Sequence, residues 1–432
     1  MSNNKVIKNA SWIIGCKIVQ SLLGVVISMF TARYLGPANF GLINYAASVS
    51  AFLLPIAQLG LNNILVQETI EHPDEEGKIF GTSMILSLCT ALVCMIGCFT
   101  FVSFVNAGEK DTIIVCCMYS AMLIPQALEL IQYWYQAKYW SKYVSIVALV
   151  AYVAVSAYKV YLLVTGKSVY WFAVSNSIDY FLIGVLIIVL YKRLGGQQLV
   201  FSRAVAKRML DKSRFYIISS MMVTLFAQTD KIMLKLMLDE TATGLYSAAV
   251  ISASLTSFVF SAIIDSFRPM IFKSQKESVE EFEKNITKLY TIVIYLSLLQ
   301  CVGMTILSKP IIGILYGSDY DASARALRII VWYTTFSYLG AVRNVWILAN
   351  AKQRCLWIIN LSGALANVVL NAILIPPMGI DGAALASLVT QIFTNVIMGW
   401  IIAPIRRNNT LMVRALNPKI ILGTVKKLIG KR

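Results

Sequence analysis

Twelve stretches of this chain are apolar for about the thickness of a lipid bilayer, at residues 10–31, 40–59, 79–105, 113–131, 143–164, 169–190, 215–236, 244–266, 286–307, 327–348, 355–375 and 383–402. A hydrocarbon core about 30 Å thick is crossed by roughly 20 helical residues. Inside lipid each backbone N–H and C=O must be paired within the protein, so segments of this length have to be helices. Composition agrees: 58% of the residues are hydrophobic and only 14% charged, with a mean hydropathy of +0.71, whereas soluble domains carry about 25% charge. The expected fold is an all-α integral membrane protein of twelve transmembrane helices.

The net charge of +17 would suit a nucleic-acid partner if the basic residues were clustered on one soluble surface. They alternate with the spans instead, which excludes nucleic acid and sets orientation. With the N-terminus inside, segments on the cytoplasmic side hold 27 Lys and Arg and those on the outer side hold 7. Both termini are therefore expected in the cytoplasm. The first span is too long for a signal-peptide core and lacks a small-residue cleavage site, so it is expected to be retained.

The longest interruption, 191–214, contains Lys192, Arg193, Arg203, Lys207, Arg208, Lys212 and Arg214. It divides the chain into an N-terminal six-helix lobe (1–190), a basic cytoplasmic linker (191–214), a C-terminal six-helix lobe (215–402) and a basic tail (403–432). Six being even, the lobes enter the bilayer in the same sense and are expected to be related by a pseudo-two-fold along the membrane normal. A faint repeat supports this: Gly41-Leu42 after span 1 matches Gly244-Leu245 after span 7. Residues 419–432 alternate apolar and basic positions and are expected to lie on anionic inner-leaflet lipid.

Charged residues deep in a span cost about 2.5 to 3.5 kcal/mol on insertion scales, so each is a functional candidate. Lys17 in span 1, Asp179 in span 6 and the neighbours Asp230 and Lys231 in span 7 are the deepest. Adjacent helical residues point about 100° apart, so Asp230 and Lys231 cannot pair ideally with each other. Arg343, a turn or two from the inner end of span 10, is balanced between snorkelling and lining a lumen. Lys159 is similar on the outer side, while Asp265, Arg268 and Glu129 sit at inner span ends and suit a gate or an interface. Asn360, Asn367 and Asn371 share one face of span 11, as helix glue or as cavity lining. Gln391, Thr394 and Asn395 in span 12 carry the same ambiguity.

The eight cysteines lie in or at the ends of spans and read as packing residues. The single histidine, His72, sits in an acidic loop that reads as solvated, with a metal role disfavoured. No phosphate-binding glycine loop, paired metal-ligand helix or serine elbow is present. The chain is expected not to be an enzyme and to carry no cofactor beyond a coupling proton or sodium ion.

Three motifs carry a resemblance to a known family. They are Ala32 to Pro37 with Phe40-Gly41; Gln228-Thr229-Asp230-Lys231 followed by Gly244-Leu245-Tyr246-Ser247; and Asn367 to Asn371 running through Ile375-Pro376 to Gly379-Ile380-Asp381-Gly382, where a Pro-Pro-x-Gly turn is expected to join spans 11 and 12. Together they resemble the polysaccharide-lipid (O-antigen, Wzx-type) flippases of the multidrug/oligosaccharidyl-lipid/polysaccharide exporter superfamily. Tyr135-Gln136-Ala137-Lys138 also resembles that family's inner loop, with alanine where glycine is usual. The resemblance implies translocation of undecaprenyl-diphosphate-linked oligosaccharide repeat units, O-antigen or a related surface polysaccharide such as that of lipopolysaccharide. Transfer would run from the inner to the outer leaflet of a bacterial cytoplasmic membrane by alternating access. A polysaccharide polymerase and a chain-length regulator are the implied partners. Lys17, Arg33, Lys231 and Arg343 become candidates for a cationic cleft, and Asp179 and Asp230 for ion coupling.

The chief rival is a cation-coupled multidrug antiporter of the same superfamily, against which the basic residues in the spans argue. A lipid II flippase is closer, but those chains generally carry extra helices. A membrane-embedded glycosyltransferase or polymerase would be expected to show a sizeable outer loop, and no outer segment exceeds about twenty residues.

Overall fold

A computed structural model describes residues 3–417, with side chains at 12, 13 and 15–417; the amphipathic segment expected at 419–432 lies outside the described residues. Among these there is no β-strand. The chain forms two compact units, Met1–Gly244 and Leu245–Arg432, so the helix carrying expected span 7 groups with the first unit.

The first unit opens with α1 (Asn3–Ala57), 55 residues long and far too long for one straight crossing. It breaks at Gly36, whose φ of 71° and ψ of 172° leave the helical region and are open to a residue without Cβ, directly before Pro37. Then come α2 (Leu65–Glu71), α3 (Glu76–Val105), α4 (Lys110–Ser120), α5 (Leu123–Leu128) and α6 (Gln132–Ala137). The expected single span at 113–131 is thus segmented. Pro125 has no N–H to donate to Ala121, and the Ala121 carbonyl accepts from the Ile124 N–H at 3.2 Å instead, tightening the turn. The unit continues with α7 (Ser141–Val164), α8 (Val169–Arg193), α9 (Arg203–Met237) and the start of α10 (Glu240–Ala253).

Gly41 and Gly244 meet in this unit. A Cβ on Gly41 would lie 1.7 Å from the Glu240 carbonyl oxygen and 2.6 Å from the Gly244 nitrogen, and one on Gly244 would lie 2.0 Å from the Pro37 carbonyl oxygen. The two glycines matched in sequence let α1 and α10 touch backbone to backbone, the small-residue packing that substitutes for hydrophobic driving force between helices in lipid.

The second unit contains α11 (Ser257–Glu277), α12 (Val279–Ile306), α13 (Ser308–Tyr316), α14 (Ser323–Ala349), α15 (Arg354–Met378), α16 (Ile380–Ile392), α17 (Met398–Ile401) and α18 (Arg406–Arg414). Phe260 stacks on Tyr338 with centroids 3.9 Å apart. Leu411 and Met412 of α18 are buried in the same core as α11, α12 and α14, so 406–415, expected to belong to a basic tail, are packed into the unit. The Pro-Pro-x-Gly turn is shorter than expected. Pro376 and Pro377 stay helical, α15 runs to Met378, and Gly379 alone (φ 60°, ψ −133°) makes the reversal. Their missing N–H groups fall in the last two turns of α15, where a fixed φ near −65° still suits a helix. A Cβ on Gly382 would come 2.1 Å from the Leu374 carbonyl oxygen, which explains the small-residue restart.

Ten helices are long and apolar enough to cross a membrane among the described residues. One of them, Gly15–Ala57, covers most of the first two expected spans, and the expected span 327–348 falls in α14, which is not among the ten. Side chains such as Phe104, Val164 and Ile306 are more than 70% exposed on these helices, as an acyl-chain environment requires. The molecule is a multi-pass, all-α membrane protein.

Candidate functional site: charged and polar groups within the spans

Lys17 and Arg33 are exposed on α1, the first deep in an apolar run and the second beside the Gly36 break. On α9, Asp230 is 8% exposed and Lys231, next to it, is partly exposed. The neighbours differ in exposure. In the same region Ser48 Oγ of α1 donates to Gln228 Oε1 of α9 at 2.9 Å.

Asp179 on α8 is partly buried, with Oδ1 lacking a hydrogen-bond partner among the described residues. α8, which carries Asp179, packs against α7, which carries Lys159, and against the turn that begins at Glu129. Asp179 thus lies on a helix flanked by the segments of Lys159, expected to snorkel or to line a lumen, and of Glu129, expected at a gate or an interface. Periodicity could not show this, because the three residues lie on three separate helical segments.

Asn367 and Asn371 are 1% and 0% exposed and lie in one buried stripe of α15 with Ile359, Gly363, Ala364 and Ile375. Asn360 is only partly buried. The shared face read from their spacing is real for the two inner asparagines.

Arg343 on α14 is 4% exposed. Its Nη1 donates to the Thr394 carbonyl oxygen at 2.8 Å and its Nη2 to Asn344 Oδ1 at 3.1 Å. The guanidinium is engaged in helix contacts inside the second unit. Gln391, Thr394 and Asn395 are all buried close by, with Asn395 Nδ2 donating to Gln391 Oε1.

Two charged clusters of the first unit were not recognisable as such in the sequence. At one end, Glu68 is 0% exposed and accepts from Arg208 Nε at 3.0 Å and Lys212 Nζ at 2.5 Å. Glu75 takes Arg208 Nη2 at 2.9 Å and Glu71 takes Lys212 Nζ at 3.2 Å. Glu76, 6% exposed, pairs with Lys138 at 3.0 Å and accepts from Trp134 Nε1 at 2.7 Å. Hydrogen bonds from Gln67 and Lys212 hold the Glu71 carboxyl below the usual carboxylate range. The connector 194–202 is strapped beneath: Val200 N–H donates to the Gly77 carbonyl at 3.2 Å and Ser202 N–H to Thr82 Oγ1 at 2.9 Å. A Cβ on Gly77 would lie 2.2 Å from the Gln198 carbonyl oxygen, so the strap needs that glycine. The acidic loop around His72, expected to be solvated, is thus the counter-charge for the basic linker. Its signal was the match of one acidic run to one basic run.

At the other end of α9, Lys235 is 5% exposed and pairs with Glu109 at 2.7 Å and Glu240 at 3.0 Å. Glu109 also accepts from Asn106 and Thr112, and Asn106 accepts from Tyr45. Burial works against the Glu109 carboxylate, yet Lys235 and Thr112 together hold its pKa below the usual range. No group of three or more His, Cys, Asp or Glu that could hold a metal ion occurs among the described residues.

The fold is shared with multidrug transporters and a lipid flippase of solved structure. An inward-closed structure of the lipid II flippase MurJ aligns with a TM-score of 0.71 at 14% identity, covering 94% of this chain and 90% of that one. An inward-facing multidrug resistance MATE family transporter aligns with a TM-score of 0.66 at 12% identity, covering 90% and 96%. A family model described as polysaccharide biosynthesis protein matches residues 6–275, and the chain belongs to that family. Among curated proteins, the probable low-salt glycan biosynthesis flippase Agl15 of Haloferax volcanii is 22% identical over 183 residues, which is 42% of this chain. That alignment spans 39% of the relative's own length.

Proposed function

We propose that this protein is a flippase for a lipid-linked glycan, carrying an undecaprenyl-diphosphate-linked oligosaccharide from the inner to the outer leaflet of a bacterial cytoplasmic membrane. The observation that carries the reading is the polysaccharide biosynthesis match over residues 6–275. The basic groups in the spans support an anionic cargo. A diphosphate crossing a low-dielectric region needs fixed positive charge, and Lys17, Arg33 and Lys231 are the accessible candidates. Arg343 is occupied within its own unit and is left out of this set.

Asp179 and Asp230 are the proposed sites of proton or sodium coupling, Asp179 because one of its oxygens is buried without a hydrogen bond among the described residues. An aspartate in a dry cavity can load and release a cation as its surroundings change. The cargo is proposed to be an O-antigen or related repeat unit, handed to a polymerase and a chain-length regulator, with both termini cytoplasmic. No chemical step on the sugar is required.

Depletion of the protein in cells that make a surface polysaccharide provides the test. Lipid-linked repeat units should accumulate and remain inaccessible to a periplasmic glycosidase or ligase. Normal export with altered sensitivity to cationic drugs would instead select the antiporter reading.

A further inference from the structure

The helix that begins at Ile380 is not uniform. Between α16 and α17 the five residues Phe393–Ile397 form one π-helical turn. Such a turn contains one residue more than an α-turn, has poorer backbone pairing and is found mostly as a single bulge, frequently at functional sites. Some of its carbonyls therefore need donors from elsewhere.

In this chain two side chains supply them. Arg343 Nη1 donates to the Thr394 carbonyl at 2.8 Å, and Asn409 Nδ2, from α18, donates to the Val396 carbonyl at 2.7 Å. Arg343 is 4% exposed and Asn409 0%. The close approach depends on two glycines. A Cβ on Gly340 would lie 2.3 Å from Asn395 Oδ1, and one on Gly399 would lie 2.1 Å from Asn409 Oδ1.

No carboxylate among the described residues forms an ion pair with Arg343, and its Nε has no hydrogen-bond partner among them. A buried guanidinium held only by a carbonyl and an amide is costly, and this leaves it poised to lose its place. Phe393 and Ile397 also border an open apolar groove of about 460 Å³ with Leu365, Val369, Val389 and Ile392. Its walls are exposed, Leu365 at 60% and Ile397 at 45%, so side chains there are not locked by neighbouring protein.

We infer that Phe393–Ile397 is a hinge with two registers and that Arg343 is the positioning residue that holds the π register. Relaxing the turn to α geometry rotates Met398–Ile401 and the residues after it by about 100° and advances them by about 1.5 Å. Arg343 and Asn409 lose their carbonyl partners in that register. This one-residue shift gives the second unit a discrete local rearrangement for the transport cycle proposed above, of the kind by which small helix shifts are amplified. Its use in transport rests on that reading, but the hinge itself does not.

Amide hydrogen exchange of the full-length protein in lipid nanodiscs tests it. In the unmodified protein, amides at 393–401 should exchange at least about tenfold faster than those at 384–392, a difference of about 1.4 kcal/mol in opening. Uniform protection across 384–401 would overturn the hinge. Arg343→Met should accelerate exchange at 393–401 a further tenfold or so, and Arg343→Lys should restore most of the protection through one retained donor. Deleting Ile397 in the Arg343→Met background removes the extra residue, so protection should return while polysaccharide delivery stays lost. Loss of delivery in Arg343→Met with exchange unchanged would assign the guanidinium to the cargo, overturning the hinge and leaving the flippase reading intact. Should Arg343→Met fail to accumulate, the unmodified exchange profile and Arg343→Lys decide alone.

Discussion

Replacing Glu68 by glutamine should destabilise the first unit through one buried carboxylate. Glu68 is 0% exposed and accepts two charge-assisted hydrogen bonds, from Arg208 and Lys212. Breaking a fully buried pair costs about 3 to 5 kcal/mol. Here the partners are 31% and 43% exposed and keep Glu75 and Glu71, so water and the remaining carboxylates recover part of the loss. About 2 kcal/mol remains. For a unit of 244 residues that is a fall of about 4 to 8 °C in melting temperature. The assay is monodisperse protein surviving a temperature series in detergent, with Glu277→Gln as control. Glu277 pairs with Lys273 at 3.7 Å on an exposed helix face and should change nothing measurable. A Glu68→Gln shift below about 1 °C, equal to the control, would show that the cluster is solvated and contributes no buried charge pairing.

Gly41→Val should be the most damaging single change in the first unit. The contacts of 1.7 and 2.6 Å are with backbone atoms that cannot rotate away, so a loss of about 3 kcal/mol or more is expected, read as reduced membrane-inserted protein. Lys235→Met should leave Glu109 and Glu240 facing each other and lower the melting temperature, with Lys235→Arg recovering most of it. The carboxyls of Glu71 and Glu109 are both held low in the fold. Their stabilisation is complete above the ordinary carboxylate range, near pH 4.3, and is lost as pH falls through the depressed values. Melting in an acid series should therefore be less pH-dependent in the double variant Glu71→Gln/Glu109→Gln than in the parent. Asp230→Asn should abolish any pH or sodium dependence of delivery, and delivery unchanged across a pH series would remove Asp230 from coupling.

Elements set by local chemistry were legible from the chain alone. Hydrophobic runs of bilayer length and the spacing of Asn367 and Asn371 each depend on neighbours within a few residues. Lipid forces every such run to satisfy its backbone internally, so the membrane fold follows from composition. The family motifs pointed to polysaccharide biosynthesis, and the match over 6–275 agrees. Partners distant in sequence were not legible. Gly41 and Gly244 read as a repeat trace, whereas in space they are two sides of one contact. The segments that pack on the helix of Asp179, α7 with Lys159 and the turn that begins at Glu129, come from other parts of the chain, which spacing within one span cannot show.

The sequence by itself determined that this protein crosses the membrane many times as helices and carries a few costly charges within them. Tertiary structure alone decided what those charges face. Arg343 could have lined a lumen by its depth, yet its guanidinium lies on the Thr394 carbonyl, and the basic linker could have been free, yet Glu68 holds it. The physical reason is that depth is a property of one helix, whereas partnership depends on the rotation and register of several, which packing against neighbours fixes.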